Sequence, residues 1–353
     1  MEKMVAKDDA QVEQKVAERP PFPKAKGDGI VEFAFVRGKT ALKTLRSTYP
    51  LKMMHLRGTP RTSDSDKTSG GESKPELPGA EWVYMLGHGG GIVSGDVQRI
   101  KVDVGEGCTA IMTTQSFTKV YHQHLGQTAR QLLRASVAPG ALLVLLPDPI
   151  VPFHDSRFTQ HQEFDLVASG STSSCSEGAS LIVLDWLTSG RRSRGENWQM
   201  ERYESVNTVR IASKCVLHDA LKLSREPLNL SIEQRMQPFH CVAMVILIGP
   251  RTQKLAAYLL ELINTRQTER ILDEEGEGTP FVGGKRRRHP GEGEEAPWDG
   301  LICSASEIAG QVGVVVRVAG HDYVMVEKFL RTHLKGLEEQ CGRDVWTKKM
   351  CLH

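Results

Sequence analysis

Single carboxylates stand at or just beyond the ends of several apolar stretches of the chain. Asp148 follows the run that ends at Leu146, Asp185 follows the run Ala179–Leu184, and Asp219 lies among apolar neighbours. A buried carboxylate is costly unless it is paired or binds a cation. Oxygen donors scattered along a chain can pass on a divalent ion without holding it tightly. Taken together, these scattered carboxylates favour the passage of a metal ion. For any one of them alone, a turn cap or a salt bridge is the alternative.

The spacing of turn glycines predicts where these side chains gather. Gly107, Gly140 and Gly178 are 33 and 38 residues apart, and each is followed by an apolar strand. If the repeats stack in register, the segments after these strands emerge along one edge. The polar residues that this register would collect are Thr114, Gln115, Ser116, Thr118, Lys119, Asp148, Asp185, Arg191 and Glu196.

Two histidines offer a second kind of metal ligand. His122 and His124 are two residues apart, so on a strand they would share one face. No third ligand of matching spacing follows, and a structural or surface role is the alternative for the pair. A metal-dependent hydrolase that combines these histidines with the carboxylates is a rival hypothesis. The hydrolase signatures GxSxG and HExxH are both missing from the sequence.

Composition excludes several other classes. The 353 residues carry 45 basic and 43 acidic side chains, so charge gives no reason to expect nucleic-acid or membrane-surface binding. The longest apolar run, Cys241–Ile248, is far shorter than the roughly 20 residues of a membrane-spanning helix. Seven cysteines occur without any CxxC spacing, which argues against a disulfide framework and a structural zinc site. We expect a cytoplasmic protein with buried thiols.

The elements that position these residues are mostly strands. Alternation in residues 30–36 and 100–104, and repeated strand–glycine–strand units after them, predict a mainly β fold of stacked strands with a solenoid, helix-like architecture. Two apolar stripes predict helices at Thr252–Asn264 and Asp322–Gln340, which form a small helix-bearing C-terminal part. The sequence thus predicts one stacked domain rather than a parallel α/β sheet.

Polar composition divides the chain further. Residues 1–28 read as a disordered N-terminal extension, followed by one domain over 29–345. Disordered insertions are predicted within it at 58–80 and 266–300, because both are rich in Gly, Pro, Ser and charge. The second insertion includes the basic quartet Lys285–Arg288, whose acidic surroundings favour a solvated loop over a nucleic-acid patch.

Four ordered motifs carry a resemblance to a known family. The glycine-rich GGIVSGD of residues 90–96 lacks the Lys-Ser/Thr of a phosphate loop, and TTQS with TKVY follows in residues 113–121. LPDPIVPF and LDWLTSGR come next, in residues 146–153 and 184–191. In this order the motifs closely resemble the UreD (UreH) urease accessory proteins. The resemblance covers residues 28–57 and 82–260, and more weakly 298–340; the added polar segments suggest a eukaryotic-type member.

The resemblance implies a non-enzymatic chaperone of metalloenzyme maturation. Members of the family bind apo-urease and a helical accessory protein, UreF, which recruits the GTPase UreG. The complex delivers nickel to the urease active site, so nickel would be transient and no cofactor tightly bound. Neither nucleic acid nor membrane is an expected partner. A pure scaffold without metal passage is the milder alternative.

The resemblance also implies an internal tunnel lined by polar and acidic side chains. Motif by motif, its positions fall on Asp96, Thr118, Lys119, Asp185 and Asp219, and at the last of these the family can carry Glu. The metal-contacting positions implied are Asp96, Asp185 and Asp219. The tunnel-lining or partner-facing positions are Thr118, Lys119, Asp148, Arg191 and Glu196.

Overall fold

Strands dominate the computed structural model, which describes residues 25–56, 79–168, 178–225, 229–276, 300–308 and 310–341. The first nine strands are β1 (Asp28–Val36), β2 (Lys39–Ser47), β3 (Leu51–Leu56), β4 (Glu81–Gly87), β5 (Gly91–Ile92), β6 (Val97–Val104), β7 (Thr109–Thr113), β8 (Thr118–Val120) and β9 (Ala129–Val137). The other nine are β10 (Leu142–Leu146), β11 (Ile150–Pro152), β12 (Arg157–Leu166), β13 (Ser180–Thr188), β14 (Arg202–Ile211), β15 (Lys214–Ser224), β16 (Cys241–Ile248), β17 (Leu301–Glu307) and β18 (Gly313–Gly320).

The strands form two sheets that the chain visits in alternation. Sheet A has the order β15-β14-β12-β9-β6-β1-β2, and sheet B has β17-β18-β16-β13-β10-β7-β4-β3 with the short β5, β8 and β11 beside it. From β6 to β14 the long strands alternate between the sheets, with β6, β9, β12 and β14 in sheet A and β7, β10 and β13 in sheet B, and the neighbours within each sheet are parallel. The predicted mainly β, stacked-strand architecture is confirmed.

The turns between the sheets explain part of the glycine spacing. Gly107 and Gly140 both have φ of +69°, a left-handed conformation that costs glycine little, and they lie in the turns that lead into β7 and β10. The Gly107 amide donates to the Pro139 carbonyl, so consecutive turns stack on each other. Gly178 lies at the corresponding place before β13, although its φ is not positive.

Two apolar layers hold the sheets. Between sheets A and B, inward side chains such as Val102, Leu143 and Phe164 are almost fully buried. On the outer face of sheet B, Val144 and Leu184 pack with residues of the C-terminal helices. Successive side chains of a strand point to opposite faces, so each strand of sheet B contributes to both layers. Because both faces of sheet B are covered, its strands are continuous apolar runs.

The helices correct the sequence prediction in length. They are α1 (Ile232–Met236), α2 (Gln253–Gly276), α3 (Tyr323–His333) and α4 (Glu338–Cys341). The stretch predicted as one helix, Asp322–Gln340, is broken after α3, and Gly336 lies in the break, where its high backbone entropy disfavours helix. Its start is confirmed: the Asp322 carboxylate accepts from the Met325 amide at 2.9 Å.

Helix α2 extends beyond the predicted end at Asn264 and includes residues 266–276, the start of the segment predicted to be a disordered insertion. These residues lack an apolar stripe, but most of them are good helix formers. Most of the three segments predicted to be disordered lies outside the described residues: 1–24 of the N-terminal extension, 58–78 of the first insertion, and 277–299 of the second, with Lys285–Arg288.

Candidate functional site

Polar side chains replace the apolar core along one band between the two sheets. Strand pairing aligns Gln98, Gln131, Gln160 and Ser205 in a single row across four parallel strands of sheet A. The next row contains Gln162, Asn207 and Asp219 side by side. In sheet B, pairing aligns Asp185 with Met244 and Arg317. The polar layer, as we call it, comprises Gln98, Gln131, Gln160, Gln162, Ser205, Asn207, Asp219, Asp185 and Arg317.

Alternation along the strands explains why these residues face inward. Side chains two residues apart share one face of a sheet. Asp185 is therefore on the same face as Val183, and Gln162 is on the same face as Phe164, both in the inter-sheet core. Apolar side chains also close the other side of the layer, where Phe158 and Leu187 are buried. The layer thus lies between two apolar clusters.

Asp185 is the centre of the polar layer. Its Oδ2 accepts from the Ser205 hydroxyl at 2.5 Å and from Asn207 Nδ2 at 2.8 Å, and its Oδ1 accepts from Gln160 Nε2 at 3.2 Å. All three donors are neutral. Asp185 is also the one residue of β13 that keeps intermediate solvent exposure while the others are buried.

The surroundings of Asp185 raise the pKa of its carboxyl group. Desolvation by burial is the main cause, and the negative charge of Asp219 adds to it. The hydrogen bonds from Ser205, Asn207 and Gln160 oppose the rise, because they stabilise the ionised form. Burial, together with the charge of Asp185, also raises the pKa of Tyr203 well above its ordinary value.

Asp219 lies where the polar layer reaches the edge of sheet A. Its carboxylate accepts a hydrogen bond from the guanidinium of Arg317, which belongs to sheet B, so the pair bridges the two sheets. The Asp219 side chain is 19% exposed and that of Arg317 48%. Asp219 is thus an ion-paired carboxylate near solvent, whereas Asp185 is a carboxylate with neutral partners only.

Oxygen atoms in the layer remain available to an incoming group. Gln162 Oε1 and Asn207 Oδ1 are buried acceptors that receive no hydrogen bond from the described part of the chain. Buried polar atoms are normally paired with protein or water, so such exceptions mark a place where water or an ion can bind. Together with Asp185, they give the polar layer oxygen atoms of the kind that hydrated divalent cations bind.

The edge that the glycine spacing predicts exists in the structure. Strand β8 pairs with β11 in parallel, and β11 pairs with β13, which brings Thr118 next to Ile150 and Ile150 next to Leu187. Thr118 is half-buried and Lys119 is exposed at this edge. Both are therefore placed beside the segment that leads to Arg191.

Asp148 is buried and tied to the neighbouring repeat. Its Oδ2 accepts from the Thr114 hydroxyl at 2.7 Å, and its own amide donates to the same Thr114 oxygen at 2.7 Å. Burial and the charge of Asp148 raise the pKa of the nearby Tyr84. The contacts of Asp148 thus bind two repeats together.

Arg191 and Glu196 form an ion pair beyond β13. The guanidinium donates to both carboxylate oxygens, with 2.8 Å between Nε and Oε2, and it lies 3.6 Å above the ring of Phe153. His154 Nδ1 is 2.9 Å from Glu196 Oε1. The hydrogen bonds from Arg191, then the one from His154, outweigh burial and lower the pKa of Glu196 to about 2.

The other predicted ligands lie elsewhere. Asp96 is in a turn, where its carboxylate accepts from the Val93 amide at 3.1 Å. The pairing expected of His122 and His124 rested on a strand, but β8 ends at Val120 and both residues follow it in a loop. Within the described ranges no three side chains of His, Cys, Asp or Glu are grouped as a metal site.

Most of the polar layer was absent from the sequence prediction. The glutamines lie in strands that are polar on both faces, such as RFTQHQEFDL of β12, so polarity alone does not mark them. The available signal was the inward phase set by Phe158 and Phe164, which also places Gln160 and Gln162 inward. Arg317 was visible as a single charge within the apolar strand GVVVRVAG.

The fold and the site define a class: a coiled two-sheet β protein with carboxylates set singly in a polar layer. A model of the family described as UreD urease accessory protein matches residues 25–347. The chain belongs to this family. It is 32% identical over 319 residues to urease accessory protein D of Oryza sativa subsp. indica, covering 90% of this chain and 94% of the relative.

Other relatives come from distant organisms. Urease accessory protein D of Arabidopsis thaliana is 32% identical over 90% of this chain and 98% of its own. Urease accessory protein UreD of Sorangium cellulosum is 33% identical over 92% of this chain and 84% of its own. These relatives are named as accessory proteins, which points to a non-catalytic role. Among the described helices, none is long and apolar enough to cross a membrane.

Proposed function

We propose that the protein is a non-catalytic scaffold of urease maturation that passes nickel along the polar layer to the urease active site. It acts in a complex with apo-urease and a helical UreF-like protein, through which a UreG-like GTPase joins. The accessory proteins of urease among its relatives support the accessory role. The observation that carries the nickel passage is the Asp185 carboxylate, held by neutral donors only.

The chemistry of Asp185 suits transit more than storage. An ionised carboxylate whose partners are all neutral leaves its charge uncompensated for an incoming cation, and the low dielectric between the sheets strengthens that attraction. A single carboxylate with amide oxygens binds a borderline ion such as Ni²⁺ less tightly than an imidazole or thiolate cage does. The ion is therefore attracted into the layer and released from it.

The two acidic residues of the layer have different parts in this proposal. Asp185 attracts the ion within the layer, while Asp219, paired with Arg317, defines the edge at which the layer meets solvent. We place Asp96, Thr118, Lys119 and Asp148, with the Arg191–Glu196 pair, outside the ion path, where they support the turns and the partner-facing edge. We place the complex in the cytoplasm, and the five free thiols among the described cysteines agree with a reducing compartment.

The test uses the full chain, co-expressed with apo-urease and its accessory partners. Asp185→Asn and Asp219→Asn keep the side-chain volume and remove the charge. We expect both to lower the nickel content of urease, measured by mass spectrometry of the purified enzyme, while size-exclusion chromatography shows the complex intact. The matched control is Asp165→Asn, because the Asp165 side chain is 57% exposed on β12.

The rival functions make different predictions in the same experiment. Normal urease nickel in both layer variants would leave a pure scaffold. A metal-dependent hydrolase should hold a stoichiometric metal ion in isolation that depends on the carboxylates, which equilibrium dialysis of the purified wild-type and Asp185→Asn chains measures. Among the residues that the structure describes, no three His, Cys, Asp or Glu side chains are grouped.

A further inference from the structure

Two histidines from successive repeats lie next to each other at the sheet edge. The parallel pairing of β8 with β11 aligns Val120 with Pro152, and the same register two residues later brings His122 beside His154. Their ring centroids are 3.8 Å apart, at an interplanar angle of 47°. The His154 side chain is 46% exposed, and His122 is half-buried against Phe153. The pair is thus reachable from solvent.

The hydrogen bonds of the two rings determine their tautomers. His122 Nδ1 is 2.7 Å from the carbonyl oxygen of His154, and because a carbonyl only accepts, this nitrogen carries the proton. His154 Nδ1 is 2.9 Å from Glu196, a carboxylate paired with Arg191, so it also donates. In the neutral rings, both Nε2 atoms are consequently unprotonated. Neither has a hydrogen-bond partner in the described part of the structure.

The hydrogen bonds that the two rings donate through Nδ1 resemble those that orient metal-binding histidines. A ligating imidazole usually donates its other N–H to a carboxylate or a backbone carbonyl, which fixes the ring and raises its basicity. His154 has the carboxylate and His122 has the carbonyl. The Glu196 charge offsets that of Arg191, which also stacks on Phe153, so Arg191 repels an incoming metal ion less.

We propose that His122 and His154 form a two-imidazole binding site for a borderline divalent transition-metal ion, with Ni²⁺ in this class. Imidazole nitrogens suit Ni²⁺, Cu²⁺ and Zn²⁺, whereas Mg²⁺ and Ca²⁺ prefer oxygen donors. Water completes the coordination. The site is separate from Asp185 in both ligand type and place, and it does not depend on passage through the polar layer.

The test is a calorimetric titration of the purified, tag-free full chain with Ni²⁺ alone at pH 7.5. We expect His154→Ala to weaken Ni²⁺ binding at least about tenfold. Losing a hydrogen-bond partner of a metal ligand already has an effect of this size, and losing the ligand itself should cost at least as much. His122→Asn should have the same effect. His124→Ala is the matched control, since His124 is exposed two residues away and should leave the affinity within about twofold.

Further variants and a spectroscopic count distinguish this site from the polar layer and identify its ligands. Asp185→Asn should leave this binding unchanged while lowering urease nickel, so failure of one proposal is distinguishable from failure of the other. Cu²⁺ electron paramagnetic resonance should count two imidazole nitrogens in the unaltered chain and one in His154→Ala. Glu196→Gln, which keeps an acceptor but removes the charge, should weaken Ni²⁺ binding by about tenfold. Unchanged affinity in both histidine variants, or an equal loss in His124→Ala, would overturn the proposal.

Discussion

The Ser205 hydroxyl of sheet A donates a 2.5 Å hydrogen bond to the Asp185 carboxylate of sheet B. This contact joins the two sheets where apolar side chains would otherwise meet. A carboxylate in that position costs stability, because desolvation raises its pKa and no described cation bonds to it. Retaining it at a cost to stability is the pattern of a residue kept for function.

The cost can be measured by replacing Asp185 with asparagine. In the folded chain the Asp185 pKa is above its unfolded value, so the folded state loses stability as pH rises above about 4. Asparagine carries no charge, and its oxygen can still accept from Ser205 and Asn207; the longest of the three bonds, from Gln160 at 3.2 Å, is lost. We expect Asp185→Asn to raise the free energy of unfolding at pH 7 by roughly 1 kcal/mol.

Urea unfolding at pH 7 and pH 4 checks this prediction. The gain should shrink at pH 4, because the raised pKa means that the folded chain takes up this proton more readily than the unfolded chain as pH falls. The exposed control Asp165→Asn should show no gain at either pH. A variant less stable than wild type at pH 7 would mean that the charge itself holds the sheets together.

The Arg317–Asp219 pair should add a modest, salt-sensitive contribution. The pair bridges the sheets but is partly exposed, and exposed ion pairs are worth about 0.2–1 kcal/mol. A double-mutant cycle with Arg317→Met and Asp219→Asn should give a coupling energy in this range at low ionic strength. The coupling should fall in 1 M salt because screening weakens it. Salt-independent coupling would contradict an electrostatic origin.

The stacked-strand architecture was predictable from the sequence because local features determine it. Gly107 and Gly140 supply left-handed turns, and the strands after them are apolar on both faces, as expected of parallel strands buried on both sides. Asp185 could also be found, since a carboxylate within SLIVLDWLT stands out.

The neighbours of Asp185 were harder to predict, because they depend on long-range register. Ser205 and Gln160 come from different strands, and nothing near them in sequence marks them as partners of Asp185. The histidine pair shows the same limit: spacing suggested His122 with His124, whereas parallel pairing selects His154, 32 residues away. Contacts between repeats depend on the lengths of loops, which local patterns do not encode.

Thiol reactivity gives a further test of the fold. Cys215 is exposed on the edge strand β15, whereas Cys241 and Cys341 are buried, and burial raises the pKa of Cys341 to about 12. Iodoacetamide reacts with thiolates, so at pH 7.5 we expect Cys215 to be alkylated well before the other two. Time-resolved peptide mapping by mass spectrometry measures this, with guanidinium-unfolded chain as the control. Equal rates for Cys215 and Cys241 in the folded chain would contradict the arrangement of β15 and β16.

Glu196 should stabilise the fold at neutral pH and lose that effect in acid. Hydrogen bonds from Arg191, then from His154, lower its pKa to about 2, below the unfolded value of about 4.3. Its contribution is therefore complete above about pH 4.5 and disappears as pH falls through about 2. We expect Glu196→Gln to cost about 1–3 kcal/mol at pH 7, as for a lost charge-assisted hydrogen bond, and less at pH 3. Urea unfolding at both values measures the difference, and Glu106→Gln, at an exposed turn residue, is the control. An equal cost at pH 7 and pH 3 would show that shape, not charge, is what Glu196 contributes.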